Sequence, residues 1–287
     1  MRYLLDVIRG FLMGSADVVP GVSGGTIALV LGIYERLVHN IRTGAGALAS
    51  IVRGRGRDAL DRAKGVEWAF LLPLLAGIAL AIVSLAAVIT HYLEEEPVAT
   101  AAVFFGLVAG SIVIAWPLVG EWTPRRIITG IGVAVAAFVI LGLRSGEVAD
   151  PSLLLFFGAG SIAIVAMILP GISGSFILLM LGMYEATIGA VDEREITVLL
   201  VFLVGATIGL ALFSTLLDRL LRDHHDMVMA ALIGLMAGSL RVLWPWPDGT
   251  ETAVLGAPTD AWMPIVAGIV GFAFVVGIGM FARRTAE

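Results

Sequence analysis

The chain has 287 residues, 59% apolar and 14% charged, against roughly 45–50% and about 25% in soluble domains. A water-soluble body of this size has too little polar side chain to cover so much apolar surface, whereas lipid needs no such cover. A formal charge of −5 argues against a nucleic-acid partner, and the absence of cysteine excludes disulfides, thiol catalysis and thiolate metal sites.

Ten apolar segments are predicted, near 3–16, 18–41, 68–90, 98–119, 125–143, 151–169, 171–191, 197–217, 227–246 and 263–282. Most are long enough to cross a ~30 Å hydrocarbon core as helix. The first is short and interrupted by Asp6 and Arg9, with no small-residue cleavage site after it, so it does not read as a signal peptide. The second and seventh each open on a Pro-Gly break. His39, His91, His224 and His225 all fall at segment ends or in loops, and are read as solvated.

The loops sort by charge. The stretch 42–67 is basic, Arg125 and Arg126 precede the fifth segment, Arg219 and Arg222 follow the eighth, and Arg283 and Arg284 follow the tenth. Glu94 to Glu96, then Asp192, Glu193 and Glu195, then Asp248, Glu251 and Asp260 mark three acidic loops. If residues 3–41 form a hairpin that returns to its own side, every basic loop falls on one side and every acidic loop on the other. The excess of Lys and Arg then places both termini in the cytoplasm.

The chain repeats itself. Val18-Val-Pro-Gly-Val-Ser-Gly-Gly25 recurs as Ile168-Leu-Pro-Gly-Ile-Ser-Gly-Ser175, and Leu31-Gly-Ile-Tyr-Glu35 as Leu181-Gly-Met-Tyr-Glu185, at a constant offset of 150. Gly77, Gly106, Ala109-Gly-Ser111 and Trp116-Pro117 recur at an offset of 128 as Gly205, Gly234, Ala237-Gly-Ser239 and Trp244-Pro245. Apolar helices that match by chance share leucine and alanine, not such motifs in register. The fold class expected is an all-α polytopic membrane protein in two halves, 1–147 and 148–287, forming one membrane domain. Each half holds a Pro-Gly-broken hairpin, read as re-entrant, plus three transmembrane helices. A hairpin contributes an even number of crossings, so each half crosses an odd number of times and the two lie inverted, as in many transporters.

Proline removes an amide hydrogen and glycine admits unusual backbone angles. Pro20-Gly21 and Pro170-Gly171 therefore break the chain and leave amides exposed at the start of the next helix, where the dipole favours an anion. With the hydroxyls of Ser23, Thr26, Ser173 and Ser175, and the bare backbone at Gly24, Gly25 and Gly174, they suggest two facing cradles for a phosphate or carboxylate. The plain alternative is tight packing of two hairpins through small residues.

Charges inside apolar segments are suspects by default. Asp17 directly precedes the first break, and its counterpart is Met167, so it is a candidate for proton or sodium coupling, or else a helix cap. Glu35 and Glu185 close the motif helices, either as coupling acids or as carboxylates at the interface. Arg241, with Val113 as its counterpart, either binds an anionic ligand, in which case it faces Ser23 and Ser173, or snorkels to an aromatic belt of Trp244 and Trp246. Arg9 is a second cation, from the opposite side.

Met13-Gly-Ser-Ala-Asp-Val-Val-Pro-Gly-Val-Ser-Gly-Gly-Thr-Ile-Ala-Leu-Val-Leu-Gly-Ile-Tyr-Glu-Arg36, with Leu169-Pro-Gly-Ile-Ser-Gly-Ser175, resembles the polyprenyl-phosphate transporter family called PopT over essentially the whole chain. The resemblance implies a flippase for undecaprenyl phosphate, the lipid carrier of envelope sugars, in the cytoplasmic membrane of a prokaryote. The residues alone imply an anionic ligand in a membrane-embedded site. Ser175 stands where the first motif has Gly25, so the second cradle is expected to be less open.

Two other classes compete. A membrane polyprenyl-diphosphate phosphatase would need a base and cations beside its nucleophile, and no arginine follows Ser23 or Ser173 within either motif. A small-anion channel or exporter would share the cradles but need no lateral opening for a tail. No metal, cofactor or hydrolytic activity is expected.

Overall fold

The computed structural model describes residues 2–19, 21–143, 145–247, 255–259 and 261–284, and its regular structure there is entirely helical. Pro20 and the acids Asp248, Glu251 and Asp260 lie outside the described residues, as do the side chains of Arg283 and Arg284.

In the first half, α1 (Arg2–Asp17) ends at the first break and α2 (Gly24–Val30) follows it. Then come α3 (Tyr34–Val52), α4 (Gly56–Lys64), α5 (Trp68–Glu95), α6 (Pro97–Ala115) with a 3-10 turn at Trp116–Leu118, and α7 (Pro124–Ile140). The second half runs through α8 (Leu153–Ile168), α9 (Gly174–Met180), α10 (Tyr184–Asp192), α11 (Ile196–Asp223), α12 (His225–Ser239) and α13 (Trp262–Arg284). Pro97 and Pro124 open α6 and α7 at the first helical positions, where the missing amide costs nothing. The motif helices end alike. Ile33 N–H bonds the Ala28 carbonyl at 3.0 Å and Gly32 N–H the Leu29 carbonyl at 3.1 Å, with Gly32 at φ +67°. Met183, Leu178, Gly182 and Leu179 repeat this Schellman stop in the second half.

Among the described residues, four helices are long and apolar enough to cross a membrane alone: α5, α6 with its 3-10 turn, α11 and α13. The other expected segments are shorter or broken. The second splits into α2 and α3, and α3 continues to Val52 as an amphipathic helix instead of opening a loop at 42. The seventh splits into α9 and α10, bent by 113°. The ninth stops at Ser239, which places Arg241 on a turn and not within a helix. Arg219, Arg222, Glu94 and Glu95 extend helix ends that were expected as loop, because the aqueous turns of α5 and α11 need no apolar side chains.

The helices pack in four long pairs: α1 on α5, α8 on α11, α6 on α13, and α7 on α12. Glycines set each pair. Gly10 faces the Leu74 carbonyl and Gly77 the Val7 carbonyl, and in the second half Gly160 faces Phe202 and Gly205 faces Phe157 in the same way. Gly106 lies against Gly268, and Gly234 against Gly130. Each contact leaves no room for a methyl group, as expected where membrane helices associate by close backbone approach. The first two pairs lie within a half, whereas α6–α13 and α7–α12 each join one half to the other.

Ion pairs gather the basic segments at one end. Arg36 holds Glu67 at 2.5 Å, and Arg126 holds Asp226 at 2.9 Å. Asp218, buried near the end of α11, takes Arg42 at 2.6 Å, Arg222 at 2.7 Å and His39 at 3.1 Å, which ties α3 to α11. Toward the other end of α11, Glu147, Asp150, Glu185, Glu193 and Glu195 line a hollow of about 620 Å³.

Candidate functional site

The two breaks meet in the interior. Gly21 (φ +87°) and Gly171 (φ +90°) adopt the same left-handed turn, which side-chain-bearing residues rarely enter. Across the halves, the Gly171 amide donates to Thr26 Oγ1 at 2.8 Å and Ser23 Oγ donates to the Met167 carbonyl at 3.0 Å. Tyr34 Oη adds a bond of 3.2 Å to the Ile168 carbonyl. Ser23, Thr26 and Tyr34 are all buried, so these bonds are made away from water. The end of α12 and the turn after it close over both breaks: a side chain at Gly21 would strike Val242 and Leu243, and one at Gly171 would strike Ser239 and Met236.

Within the first motif the donors are already engaged. Gly24 N–H bonds Asp17 Oδ1 at 2.6 Å and Gly25 N–H bonds Ser23 Oγ at 3.0 Å. Asp17 thus lies against the start of α2, where Met167 lies against Gly174 in the second half. An intramolecular carboxylate thus satisfies the amide that was expected to face an anion. Gly25 has a separate reason to be glycine, since a Cβ there would meet the Ile168 carbonyl at 2.6 Å. In the second motif Ser173 makes no capping bond, and its hydroxyl shares a 2.7 Å hydrogen bond with Ser175. Pro170 is buried with Gly171 and Gly174, while Ser175 is partly open.

The charged candidates lie apart from this seam. Arg9 is held at 2.9 Å by Asp6, a buried acid one turn earlier on α1 that had not been singled out in the sequence, although its i, i+3 spacing to Arg9 is the signal for such a pair. Glu35 bonds His225 Nε2 at 3.0 Å, and His225 Nδ1 bonds Asp226 at 3.1 Å. Glu185 is exposed in the acidic hollow. Arg241 lies against Gly142 and over the Phe138 ring at 4.7 Å, and no hydrogen bond joins it to Ser23 or Ser173. Its Nε is buried without a partner, and among the described residues no ion pair reaches it. The expectation that a ligand-binding Arg241 faces the breaks is therefore not met. Its backbone adjoins them, but its side chain turns toward α7.

An all-helical, multi-pass membrane protein whose two broken helices bond to each other inside it is the class these features define. The chain belongs to the undecaprenyl phosphate translocase-like family, whose model matches residues 13–258. It is 40% identical over 251 residues to a polyprenyl-phosphate transporter of Vibrio cholerae, covering 86% of this chain and 80% of that protein. It is 30% identical over 303 aligned positions to a polyprenyl-phosphate transporter of Staphylococcus aureus, covering 99% and 97%. No solved structure matches it.

Proposed function

We propose that this protein carries undecaprenyl phosphate, or a closely related polyprenyl phosphate, across the cytoplasmic membrane and so returns the lipid carrier for reuse. One observation carries the reading: in a family whose named relatives are polyprenyl-phosphate transporters, the two Pro-Gly breaks come from different parts of the chain and bond to each other in the interior. A seam made of hydroxyls and amides can exchange those internal bonds for bonds to phosphate oxygen when the two sides part.

In this reading residues 1–147 and 148–287 are inverted halves, α1–α2 and α8–α9 are re-entrant hairpins, and the basic end is cytoplasmic. The repeated glycine contacts support the duplication. Inversion is supported by α3 lying at the basic end while α10 lies with the acidic hollow. Ser23, Gly24, Gly25, Thr26, Ser173, Gly174 and Ser175 supply donors along the path. Asp17 is the coupling candidate, because a proton or sodium ion that neutralised it would release the Gly24 amide for the phosphate. Arg9, already held by Asp6, serves structure first. The protein acts as a carrier and not as a hydrolase.

Purified protein in liposomes tests this, with transbilayer movement of labelled polyprenyl phosphate scored beside phosphate release from the diphosphate. Movement without release is expected. Phosphate release that is lost in Ser23→Ala would replace the carrier with an enzyme.

A further inference from the structure

The pocket of Arg241 has a neighbour. The hollow around Arg241, about 320 Å³, is walled by Phe105, Phe138, Leu240 and Trp244. A second hollow of about 320 Å³ between α6 and α13 shares Phe105 and Trp244 with the first, and continues along Gly106, Ile265, Ile269 and Phe272. Each is within the ~300–1,000 Å³ range of ligand pockets. Two tryptophans stand at the junction with their polar edges already committed: Trp244 Nε1 donates to the Gly256 carbonyl at 3.0 Å and Trp246 Nε1 to the Thr259 carbonyl at 2.9 Å. Trp246 is buried, and the partly buried Trp244 lines both hollows. Among the described residues the second hollow offers no charged side chain, while the first holds one cation whose buried Nε lacks a hydrogen-bond partner. A cation beside an apolar trough matches an anion on a long apolar tail better than a free ion or a neutral lipid.

The counterpart of this place, 128 residues earlier, is built differently. Val113 stands where Arg241 does, and the tryptophan that matches Trp244, Trp116, is stacked on Trp122 with ring centres 4.0 Å apart. No cation stands at the matching position, and one face of the Trp116 indole is taken by Trp122.

We infer that Arg241 and the α6–α13 trough form a one-sided loading site for a polyprenyl monophosphate. The phosphate rests on the guanidinium, the first prenyl units lie over Phe105 and Trp244, and the tail runs past Ile265 and Ile269 into the lipid. The inference rests on the polyprenyl-phosphate reading above and adds where the lipid enters and from which end. Ile269 is 61% exposed, so the trough opens sideways toward lipid and the tail need not thread the protein.

The test uses the full chain in lipid nanodiscs and farnesyl phosphate with a photoreactive diazirine at the tail end, beside the matching farnesol probe. Adducts are expected on Phe105, Ile265, Ile269 or Phe272, displaced by unlabelled farnesyl phosphate but not by equal inorganic phosphate. Arg241→Met should lower labelling by the phosphate probe about tenfold, the loss of one charge-assisted contact, and leave farnesol labelling unchanged. Arg241→Lys should recover part of it. Ile269→Trp, which fills the trough and leaves the charge, should lower labelling by both probes. Adducts confined to the opposite side of α6 and α13, on Phe11, Ile27 or Ile278, would overturn the site, as would wild-type labelling of Ile269→Trp and Arg241→Met. Displacement by inorganic phosphate as effective as by farnesyl phosphate would make this a free-anion site and overturn it too. The liposome assay separates the two claims. Transport by wild type with adducts elsewhere removes only the site, and adducts in the trough without transport remove only the carrier reading.

Discussion

Glu35 and Glu185 occupy the same place in two copies of one motif, yet they stand at opposite ends of α11. Glu185 shares a hollow with Glu195, which precedes the first turn of that helix, and Glu35 bonds His225, two residues beyond its last. At 1.5 Å per residue the 28 residues of α11 separate them by about 42 Å, more than the ~30 Å of a hydrocarbon core.

Opposite ends predict opposite sides of the membrane. The chain has no native cysteine, so Glu35→Cys and Glu185→Cys can each be labelled without background. In sealed right-side-out vesicles an impermeant maleimide should modify Glu185→Cys and reach Glu35→Cys only after lysis. Labelling of both from one side would end the inverted arrangement.

The seam between the breaks is predicted to be structural as well as functional. Thr26→Val keeps the volume and removes the acceptor of the Gly171 amide, leaving a buried donor unpaired at a cost of about 1–3 kcal/mol. Gly171→Ala should cost more, because its φ of +90° and the nearness of Met236 both oppose a methyl group. Thermal unfolding in detergent should rank wild type above Thr26→Val above Gly171→Ala. Unchanged melting of Thr26→Val would mean the bond is not made.

Arg241 is predicted to reverse that order. Arg241 is partly buried and its enclosed Nε has no hydrogen-bond partner among the described residues, so removing the side chain leaves stability unchanged or improved. Arg241→Met should melt at or above the wild-type temperature yet fail to transport, Arg241→Ala should also lose transport, and Arg241→Lys should be impaired because its ammonium lacks the forked donor geometry. A clear fall in the melting temperature of Arg241→Met would assign the side chain to structure instead.

His225 carries a pH prediction. It lies ahead of the apolar run that begins at 227, between Glu35 on α3 and Asp226 on α12, with Arg126 on α7 across from Asp226. Partial burial opposes its charge, but hydrogen bonds to Asp226 and Glu35 outweigh this and raise its pKa above the ordinary 6.5. A raised pKa means that the charged form is the one the fold prefers. Its contribution should be complete below pH 6.5 and fade as the pH climbs through the raised value. Melting of wild type should fall over that window relative to His225→Gln. Parallel curves for the two proteins would dismiss the bridge.

The breaks were legible in the sequence because proline and glycine dictate backbone geometry locally, wherever the chain goes afterward. Ser23 and Thr26 were picked out for the same reason, although their partners across the seam were not. Partners at that distance leave no local mark: nothing near Thr26 names Gly171, and nothing near α6 names α13. The direction of Arg241 stays open in the sequence, between the breaks and the outer surface, because sequence fixes the position of its Cα and not the rotamer of a long side chain, which here follows the space left by Gly142. Asp218 could have been found from Arg222 one turn later, but its bonds to Arg42 and His39 depend on α3 continuing past 41 as a surface helix.

The pairing of α6 with α13 also bears on how the protein is made. A ribosome delivers α6 to the membrane well before the helix that covers it, and about 160 residues separate Gly106 from Gly268, or some ten to thirty seconds of synthesis at the usual pace. Through that interval the small-residue face of α6 must wait against lipid or against an insertion chaperone. A chain stopped before Trp262 would leave that face bare for good, so late truncations should be cleared by membrane proteases as readily as early ones.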